Sequence, residues 1–168
     1  MIRPCQPEDF EALWEIINAA TQVYKGVIPD DCWLDPYMSK EELAHEIKAG
    51  VNFWGYEENK KLSGVMGLQE VQDVALIRHA YVQPKRQNKG IGGRLLIFLK
   101  NKTTRPLLVG TWAAATWAIK FYEKHGFFLI GSPQREELLR RYWNIPEKQI
   151  EASVVLADIK WLRRGKEG

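Results

Sequence analysis

The spacing of apolar residues along the chain predicts at least two helices near the start. Apolar side chains recur every three or four positions in residues 10–20, which is the period of an amphipathic helix. Ser39 followed by Glu42 forms a capping box that opens a second helix, which we expect to run through Ile47. Residues 21–37 between the two have no regular period and are predicted to be irregular.

Shorter apolar runs, each bounded by turn residues, predict a series of strands. These runs are Asn52 to Glu57, Leu62 to Glu70, Val74 to Val82, Pro106 to Thr111, Phe127 to Ile130 and Ala152 to Ile159. Helical periods are interleaved with the later runs, at Gly90 to Lys100, Thr116 to His125 and Gln134 to Trp143. Because no internal repeat or linker interrupts this series, we predict one mixed α/β domain over residues 1–168.

Composition narrows the class of protein. A hydrophobic content of 45% and a charged content of 27% are ordinary for a globular protein, and the net charge of +3 is too small to indicate nucleic-acid binding. The N-terminus lacks the apolar region of a signal peptide, and no apolar run approaches the roughly 20 residues that span a bilayer. Cys5 and Cys32 are isolated from each other and show no metal-ligand spacing with the histidines. We therefore expect a cytoplasmic protein with reduced thiols, no metal and no membrane association.

The most informative stretch is a glycine-rich turn between a predicted strand and a predicted helix. The sequence from Gln87 to Gly93 reads Gln-Asn-Lys-Gly-Ile-Gly-Gly. Such a turn presents bare backbone N–H groups at a helix N-terminus, where the partial positive charge favours a phosphate. A Walker A loop is excluded because Lys89 precedes Gly90 and no Ser or Thr follows; a dinucleotide fingerprint needs a third glycine where Leu95 stands.

A second motif lies about thirty residues later, again at a predicted strand-to-helix junction. It reads Ala118-x-x-Phe121-Tyr122-x-x-x-Gly126-Phe127. Together with the Gln-x-x-Gly-x-Gly turn, it resembles the GNAT superfamily of N-acetyltransferases, and the order of elements is similar over nearly the whole chain. The resemblance implies a central, mostly antiparallel twisted sheet with helices on both faces and a splayed strand before the glycine turn.

The resemblance also implies acetyl-CoA as cosubstrate and assigns residues to it. In this family the backbone N–H groups of the turn hold the CoA pyrophosphate, and the strand before the turn receives the pantetheine arm. The implied contacts are Tyr81, Val82, Gln87, Asn88, Lys89, Gly90, Ile91, Gly92 and Gly93. Lys85, Arg86 and Lys89 add positive charge beside the phosphates.

For the chemistry, the resemblance places Tyr122 near the CoA sulfur as the acid that protonates the departing thiolate. Packing in the core is its alternative role. Many members carry Asn where this chain has Trp117, so the hydrogen bond that this Asn makes to the pantetheine is not carried over to this chain. A glutamate that serves some members as base falls at Leu76 here, and a leucine cannot take a proton. His79 on the same strand is the candidate base, with a packing role as the alternative. Glu70 and Asp73, acting through water, are the other candidates, with an ordinary surface role as the alternative.

The acceptor is expected to be an amine, either a small molecule or a peptide N-terminus, attacked directly in a ternary complex. Without a strong base, an amine of low pKa is the easier acceptor. Four aromatic residues are candidates for an acceptor pocket suited to a flat or cationic group: Tyr24, Trp33, Tyr37 and Trp112. Packing of these residues against the sheet is the alternative.

Other readings stay open. A protein that binds acetyl-CoA as a sensor or regulatory module, without catalysis, is the alternative function. A basic tail at residues 160–166 is the one feature that favours nucleic acid, although short basic tails are usually solvated. Because dimers are frequent in the GNAT family, a homodimer paired through the apolar C-terminal strand is a further hypothesis.

Overall fold

A computed structural model describes residues 1–164 of the protein, which form seven strands in one sheet and seven α-helices. The strands are β1 (Ile2–Pro4), β2 (Asn52–Glu58), β3 (Lys61–Val71), β4 (Val74–Val82), β5 (Leu107–Trp112), β6 (Phe128–Ile130) and β7 (Ser153–Ala157). The helices are α1 (Phe10–Ala20), α2 (Lys40–Lys48), α3 (Ile91–Lys100), α4 (Thr116–Lys124), α5 (Gln134–Tyr142), α6 (Glu147–Glu151) and α7 (Ile159–Arg164). The strand order is β1-β2-β3-β4-β5-β7-β6.

The expected mixed α/β fold with a mostly antiparallel sheet is confirmed. The pairs β1/β2, β2/β3, β5/β7 and β6/β7 are all antiparallel. Strand β4 occupies the predicted residues Val74–Val82. The β2–β3 hairpin turns at Asn59 and Lys60, whose φ angles of 50° and 65° are the left-handed values that a tight two-residue hairpin requires.

The C-terminal region differs from the prediction. The last strand was expected to reach Ile159, but β7 ends at Ala157 and Ile159 begins α7. Asp158 causes the change, because its Oδ1 accepts the backbone N–H of Trp161 at 3.1 Å and thereby caps a helix. Strand β1 and helix α6 were not predicted, since both are too short to show a period.

This arrangement bears on two hypotheses about the C-terminus. Strand β7 lies between β5 and β6, so both of its edges are already paired and it has no edge to offer a second copy. Most of the expected basic tail is helix α7, in which Trp161 is buried and Arg164 Nη1 donates to Asp73 Oδ2 at 2.8 Å. Residues 165 and 166 of that tail lie outside the described residues.

The residues group into two compact units, and the expected single domain over residues 1–168 stays a prediction. The first unit comprises Met1–Val23, Leu34–Glu70 and Ile77–Thr104. The second comprises Tyr24–Trp33, Val71–Leu76 and residues from Arg105 onward. Within residues 1–164, no helix is long and apolar enough to cross a membrane.

In the first unit, helices pack on both faces of the β2–β3 pair. Phe53 lies in a core with Leu13 and Ile17 of α1 and Leu43 of α2. The next residue, Trp54, points to the other face, where its ring centroid lies 5.1 Å from that of Phe98 in α3. Burying each such large apolar side chain stabilises the fold by roughly 1.5–3 kcal/mol.

The second unit has its own core on strands β5 and β7 and the first half of β4. Leu76, Leu108 and Val155 are fully buried there, and α5 and α7 cover them with Leu139 and Trp161. The predicted apolar runs at residues 106–111 and 152–159 therefore reflect strands with little contact with water.

Candidate active site

The glycine turn between β4 and α3 leaves backbone donors free at a helix N-terminus. Gly90 is the N-cap of α3 and has a φ of 79°, a left-handed conformation that glycine adopts without strain. The first helical hydrogen bond runs from Arg94 N–H to Gly90 O at 3.1 Å. The N–H groups of Ile91, Gly92 and Gly93 precede it, so the helix supplies no carbonyl for them, and Gly90 has no side chain to cap them. This end of α3 therefore suits an anion.

The loop leading into the turn is braced by its own side chains. Gln87 Nε2 donates to the carbonyl oxygen of Val82 at 3.2 Å, which ties the loop to the end of β4. Arg86 donates to both carboxylate oxygens of Glu58, at 2.9 Å and 2.6 Å, and Ser63 Oγ donates to the same carboxylate at 2.6 Å. The Arg86 guanidinium and, after it, the Ser63 hydroxyl hold the pKa of Glu58 below its usual range.

These braces divide the basic residues of the loop into two kinds. The charge of Arg86 is offset by Glu58, whereas Lys85 and Lys89 are exposed. Of the three basic residues expected to attract phosphates, the two lysines are thus the more accessible to an approaching anion.

A close approach between β3 and α3 fixes the position of the turn. A Cβ atom on Gly64 would lie 2.9 Å from Ile91 Cγ2 and 3.3 Å from Val82 Cγ2. Only glycine at this point of β3 lets the first turn of α3 pack so closely. Gly64 therefore supports the turn without belonging to it.

Strand β4 changes character along its length. Residues 74–77 are fully buried, whereas residues 78–82 are half-buried. The second half remains joined to β3, since Gln83 N–H donates to Ser63 O at 2.8 Å. Tyr81 and Val82, the residues expected to meet the pantetheine arm, both lie in the half-buried part.

His79 lies in that half and has an unusual backbone. Its φ of 53° is left-handed, which costs a non-glycine residue roughly 1–3 kcal/mol and persists only where surrounding contacts impose it. The imidazole Nε2 is hydrogen-bonded to Oε2 of Glu46 in α2, and the ring lies 6.1 Å from Phe53 and 6.5 Å from Tyr81, centroid to centroid. Glu46 was not recognised from the sequence, where it appears as one of several acids on an exposed helix.

The guanidinium of Arg78 also bonds to the Glu46 carboxylate. Arg78 Nη2 donates to Glu46 Oε1 at 3.2 Å, and Arg78 Nη1 donates to Gln69 Oε1 at 3.0 Å. Burial acts to raise the pKa of Glu46, but the hydrogen bond from His79 and the charges of His79 and Arg78 outweigh it and hold the pKa below its usual range. Burial and the nearby charge of Glu46 raise the pKa of Glu42, one helical turn earlier.

Leu76 occupies the position at which some family members have a catalytic glutamate. It is fully buried in the core of the second unit. Its side chain has no ionisable group, so Leu76 cannot act as a base.

Tyr122 in α4 lies among aromatic side chains. Its ring centroid is 5.1 Å from that of Phe121 and 5.7 Å from that of Phe127, both edge to face. Burial and then the charge of Tyr24 raise the pKa of the phenol above its usual range. The hydroxyl therefore stays protonated at any physiological pH.

The four aromatic residues expected to bind the acceptor differ in exposure. Tyr24 and Trp112 are buried, whereas Trp33 and Tyr37 are half-buried. The ring of Tyr24 stacks on that of Trp117 at 6.1 Å. Their part in acceptor binding stays a prediction.

Both cysteines carry free thiols, and the surroundings of each disfavour the thiolate form. Burial raises the pKa of Cys5 to about 12. Burial, followed by the charge of Asp31, also raises the pKa of Cys32. Within residues 1–164, no group of three or more His, Cys, Asp or Glu side chains is arranged to hold a metal ion.

Comparisons with known proteins agree with this fold. The crystal structure of the PaiA N-acetyltransferase from Thermoplasma acidophilum, in complex with coenzyme A, has a TM-score of 0.70 and 21% identity, covering 94% of this chain and 97% of that chain. The ribosomal-protein-S18-alanine N-acetyltransferase from Escherichia coli has a TM-score of 0.68 and 20% identity, covering 94% and 92%. A GNAT family acetyltransferase from Elizabethkingia anophelis with acetyl-CoA bound has a TM-score of 0.59 and 23% identity, covering 94% and 96%.

Sequence comparison supplies the family. No curated protein matches the chain. Residues 17–141, which are more than half of the chain, match the family model described as the acetyltransferase (GNAT) domain. The chain therefore belongs to the GNAT acetyltransferase family.

Proposed function

We propose that this protein transfers the acetyl group of acetyl-CoA to an amine. The observation that carries the proposal is the uncapped N-terminus of α3, where left-handed Gly90 leaves three successive N–H groups without intrahelical acceptors. Such an end binds phosphate groups, and the chain belongs to an acetyltransferase family.

The turn supplies backbone contacts to the CoA pyrophosphate in this proposal. Backbone N–H groups in residues 88–93 donate to the phosphate oxygens, and Lys85 and Lys89 add charge from the solvent side. Gln87 acts indirectly, since its amide is already engaged with Val82. Tyr81 and Val82 lie along the pantetheine arm, and a backbone N–H on this half-buried strand polarises the thioester carbonyl.

The acetyl group passes directly from CoA to the acceptor. A covalent route needs a thiolate, and the raised pKa values of Cys5 and Cys32 oppose its formation. The amine nitrogen attacks the thioester carbon, a C–N bond forms, and the C–S bond breaks. The nitrogen loses one proton, and the thiolate gains one.

Tyr122 assists the leaving sulfur in this scheme. A thiol has a pKa of about 8.5 and an ordinary phenol about 10, so complete proton transfer from tyrosine to thiolate is uphill. Burial raises the pKa of Tyr122 further. We therefore assign it a hydrogen bond to the forming thiolate, which takes its final proton from solvent. His79 takes the proton that the amine loses.

The preferred acceptor is an α-amine. At pH 7 an α-amino group with a pKa near 7.8 is about 10–15% free base, whereas a lysine side chain near 10.4 is below about 0.1%. One imidazole is a modest base, which favours the acceptor that already has more free amine. Trp33 and Tyr37, which are half-buried, are the proposed acceptor contacts, whereas Tyr24 and Trp112 are buried.

Calorimetric titration of acetyl-CoA tests the cofactor site. Wild-type protein is expected to bind acetyl-CoA. Gly92→Glu is expected to weaken this binding at least about 100-fold, because it places a carboxylate among the backbone N–H groups that donate to the phosphates. Gly131→Glu is the matched control, since a Cβ on Gly131 meets nothing within 4 Å. Equal affinity in all three proteins would show that the turn is not the phosphate site.

Binding without turnover is the outcome that would favour the sensor alternative. Release of free CoA thiol during incubation with acetyl-CoA and a panel of amines separates the two functions. The panel needs peptides with free α-amines, lysine analogues and small diamines, and each reaction needs a control without protein.

A further inference from the structure

Two successive side chains of β4 bond to one carboxylate on α2. In a regular strand, neighbouring side chains point to opposite faces, yet Arg78 and His79 both hydrogen-bond to Glu46. The left-handed φ of 53° at His79 breaks the alternation and turns its imidazole toward α2. The strained backbone thus serves the contact between His79 and Glu46.

The three side chains that form this contact are largely shielded from water. The side chains of His79 and Glu46 are each 14% exposed, and that of Arg78 is 20% exposed. Arg78 also bonds to Gln69, so the carboxylate is held from two directions and has little freedom to leave the imidazole. A hydrogen bond between partly buried, charged groups is stronger than one in water.

The geometry defines which imidazole nitrogen is available. A carboxylate only accepts, so the bond to Glu46 requires a proton on Nε2 of His79. The lone pair of the neutral ring then resides on Nδ1, for which residues 1–164 offer no hydrogen-bond partner. His79 is therefore presented as a base through Nδ1.

We infer that Glu46 is a positioning residue that fixes the Nε2–H tautomer of His79, so that Nδ1 accepts the proton lost by the attacking amine. This inference rests on the proposed acetyl transfer. As the C–N bond forms and the C–S bond breaks, the amine proton moves to Nδ1 and the resulting imidazolium is stabilised by Glu46. The imidazolium then returns its proton to solvent.

The charges around the imidazole are mixed, and each affects its pH response. Helix α2 contributes Glu42, His45 and Glu46, of which Glu46 alone bonds to the ring. Strand β4 contributes Arg78 and the phenol ring of Tyr81. A change in the pH profile is assigned to Glu46 only if Glu42→Gln does not reproduce it.

The first test needs no acceptor. In protein with ¹⁵N-labelled histidine, the neutral His79 ring is expected to show a protonated Nε2 and an unprotonated Nδ1, with His79→Gln identifying the signal. His125 is an internal reference of the opposite tautomer, because its Nδ1 donates to Phe121 O at 2.8 Å. Glu46→Leu, which removes the acceptor, is expected to remove the tautomer preference of His79 and leave that of His125 unchanged. An unchanged His79 signal in Glu46→Leu would overturn the inference.

The second test measures kcat as a function of pH, with acetyl-CoA and an alanyl peptide that has a free α-amine as substrates. Glu46→Gln is expected to lower kcat about 10- to 100-fold with the affinity for acetyl-CoA unchanged, and Glu46→Asp to recover part of the loss. In His79→Gln, further replacement of Glu46 is expected to have no additional effect on kcat. Additive losses would mean that Glu46 acts independently of His79, which contradicts the inference.

The two tests separate the two proposals. If wild-type protein acetylates no amine of the panel, the proposed function fails and the base role fails with it. The tautomer measurement still decides whether Glu46 holds the imidazole.

Discussion

The glycine turn and the surroundings of Tyr122 are the two regions assigned to acetyl-CoA, and they differ in almost every physical respect. The turn is exposed and polar, and its contribution comes from backbone N–H groups that any residue sequence with the correct φ angles would present. Tyr122 is buried among Phe121 and Phe127 and contributes one hydroxyl. Binding is thus assigned to backbone geometry, and assistance to the leaving group is assigned to a single side chain held by packing.

This contrast predicts that substitutions in the two regions affect different kinetic quantities. In the proposed reaction, the turn stabilises the bound cosubstrate equally before and during reaction, so its loss is expected to raise the dissociation constant. The proposed role of the phenol is to interact with the charge that develops on sulfur, so its loss is expected to lower kcat.

The largest expected effect is on Tyr122→Phe. Loss of a hydrogen bond to a charged group costs roughly 1.5–3 kcal/mol, which corresponds to about a 10- to 150-fold fall in kcat. The affinity for acetyl-CoA, measured by calorimetry, is expected to change less than about twofold. Phe121→Leu is a packing control on the same helix, expected to affect thermal stability more than kcat. Full activity in Tyr122→Phe would show that the tyrosine is structural.

A smaller effect is expected for Gly90→Ala. The left-handed φ of 79° costs an alanine about 1–2 kcal/mol, so the free turn of the variant is expected to relax to another φ. Restoring the left-handed conformation on binding then lowers acetyl-CoA affinity about 5- to 30-fold, while kcat at saturation is kept. Gly90→Asn is expected to lose less, because asparagine tolerates this conformation. Gly131→Ala has no such strain and serves as the control. Unchanged affinity in Gly90→Ala would mean that the bound turn does not need the left-handed residue.

The smallest effect concerns alkaline stability. Burial raises the pKa of Tyr122 in the folded state. The contribution of the neutral phenol to the free energy of unfolding is therefore fully present below the ordinary phenol pKa of about 10, and it declines as the pH rises above that value. One such group steepens the loss of unfolding free energy by at most about 1.4 kcal/mol per pH unit. Urea unfolding of wild type and Tyr122→Phe between about pH 9 and pH 11 is expected to show the shallower loss in the variant. Parallel curves would show that Tyr122 ionises as readily when folded.

The parts of the fold that could be predicted are those determined by local chemistry. The bounds of β4 follow from its apolar run and from Pro84 beyond it, and the glycine turn follows from the left-handed conformation and close approach that glycine permits. The final strand was predicted too long, because the cap that Asp158 provides for α7 is a contact made in the folded chain. Strand β1 exists through its pairing with β2, a partner some fifty residues away.

The candidate site, like the fold, could be predicted only where local sequence determines it. The turn was identified from its motif, although its binding role stays a prediction. Glu46 was missed because its segment contains other acids, Glu41 and Glu42, of the same kind. One signal was available, since Glu42 and Glu46 are like charges one helical turn apart, a spacing that is unfavourable without a nearby cation. The two basic residues, Arg78 and His79, come from a distant strand, and only the fold brings them to Glu46.

The most direct test of acetyl transfer is mass spectrometry of two peptides of one sequence, one with a free α-amine and one with that amine blocked, each incubated with acetyl-CoA and protein. Each peptide also contains a lysine, so that acetylation of the α-amine and of a lysine side chain is compared within one molecule. We expect the free α-amine to gain one acetyl group and the blocked peptide to remain largely unmodified. The Gly92→Glu variant is expected to modify neither peptide at the same acetyl-CoA concentration. Acetyl-CoA that binds tightly and is recovered intact with every amine would contradict the account and leave a binding protein without catalysis.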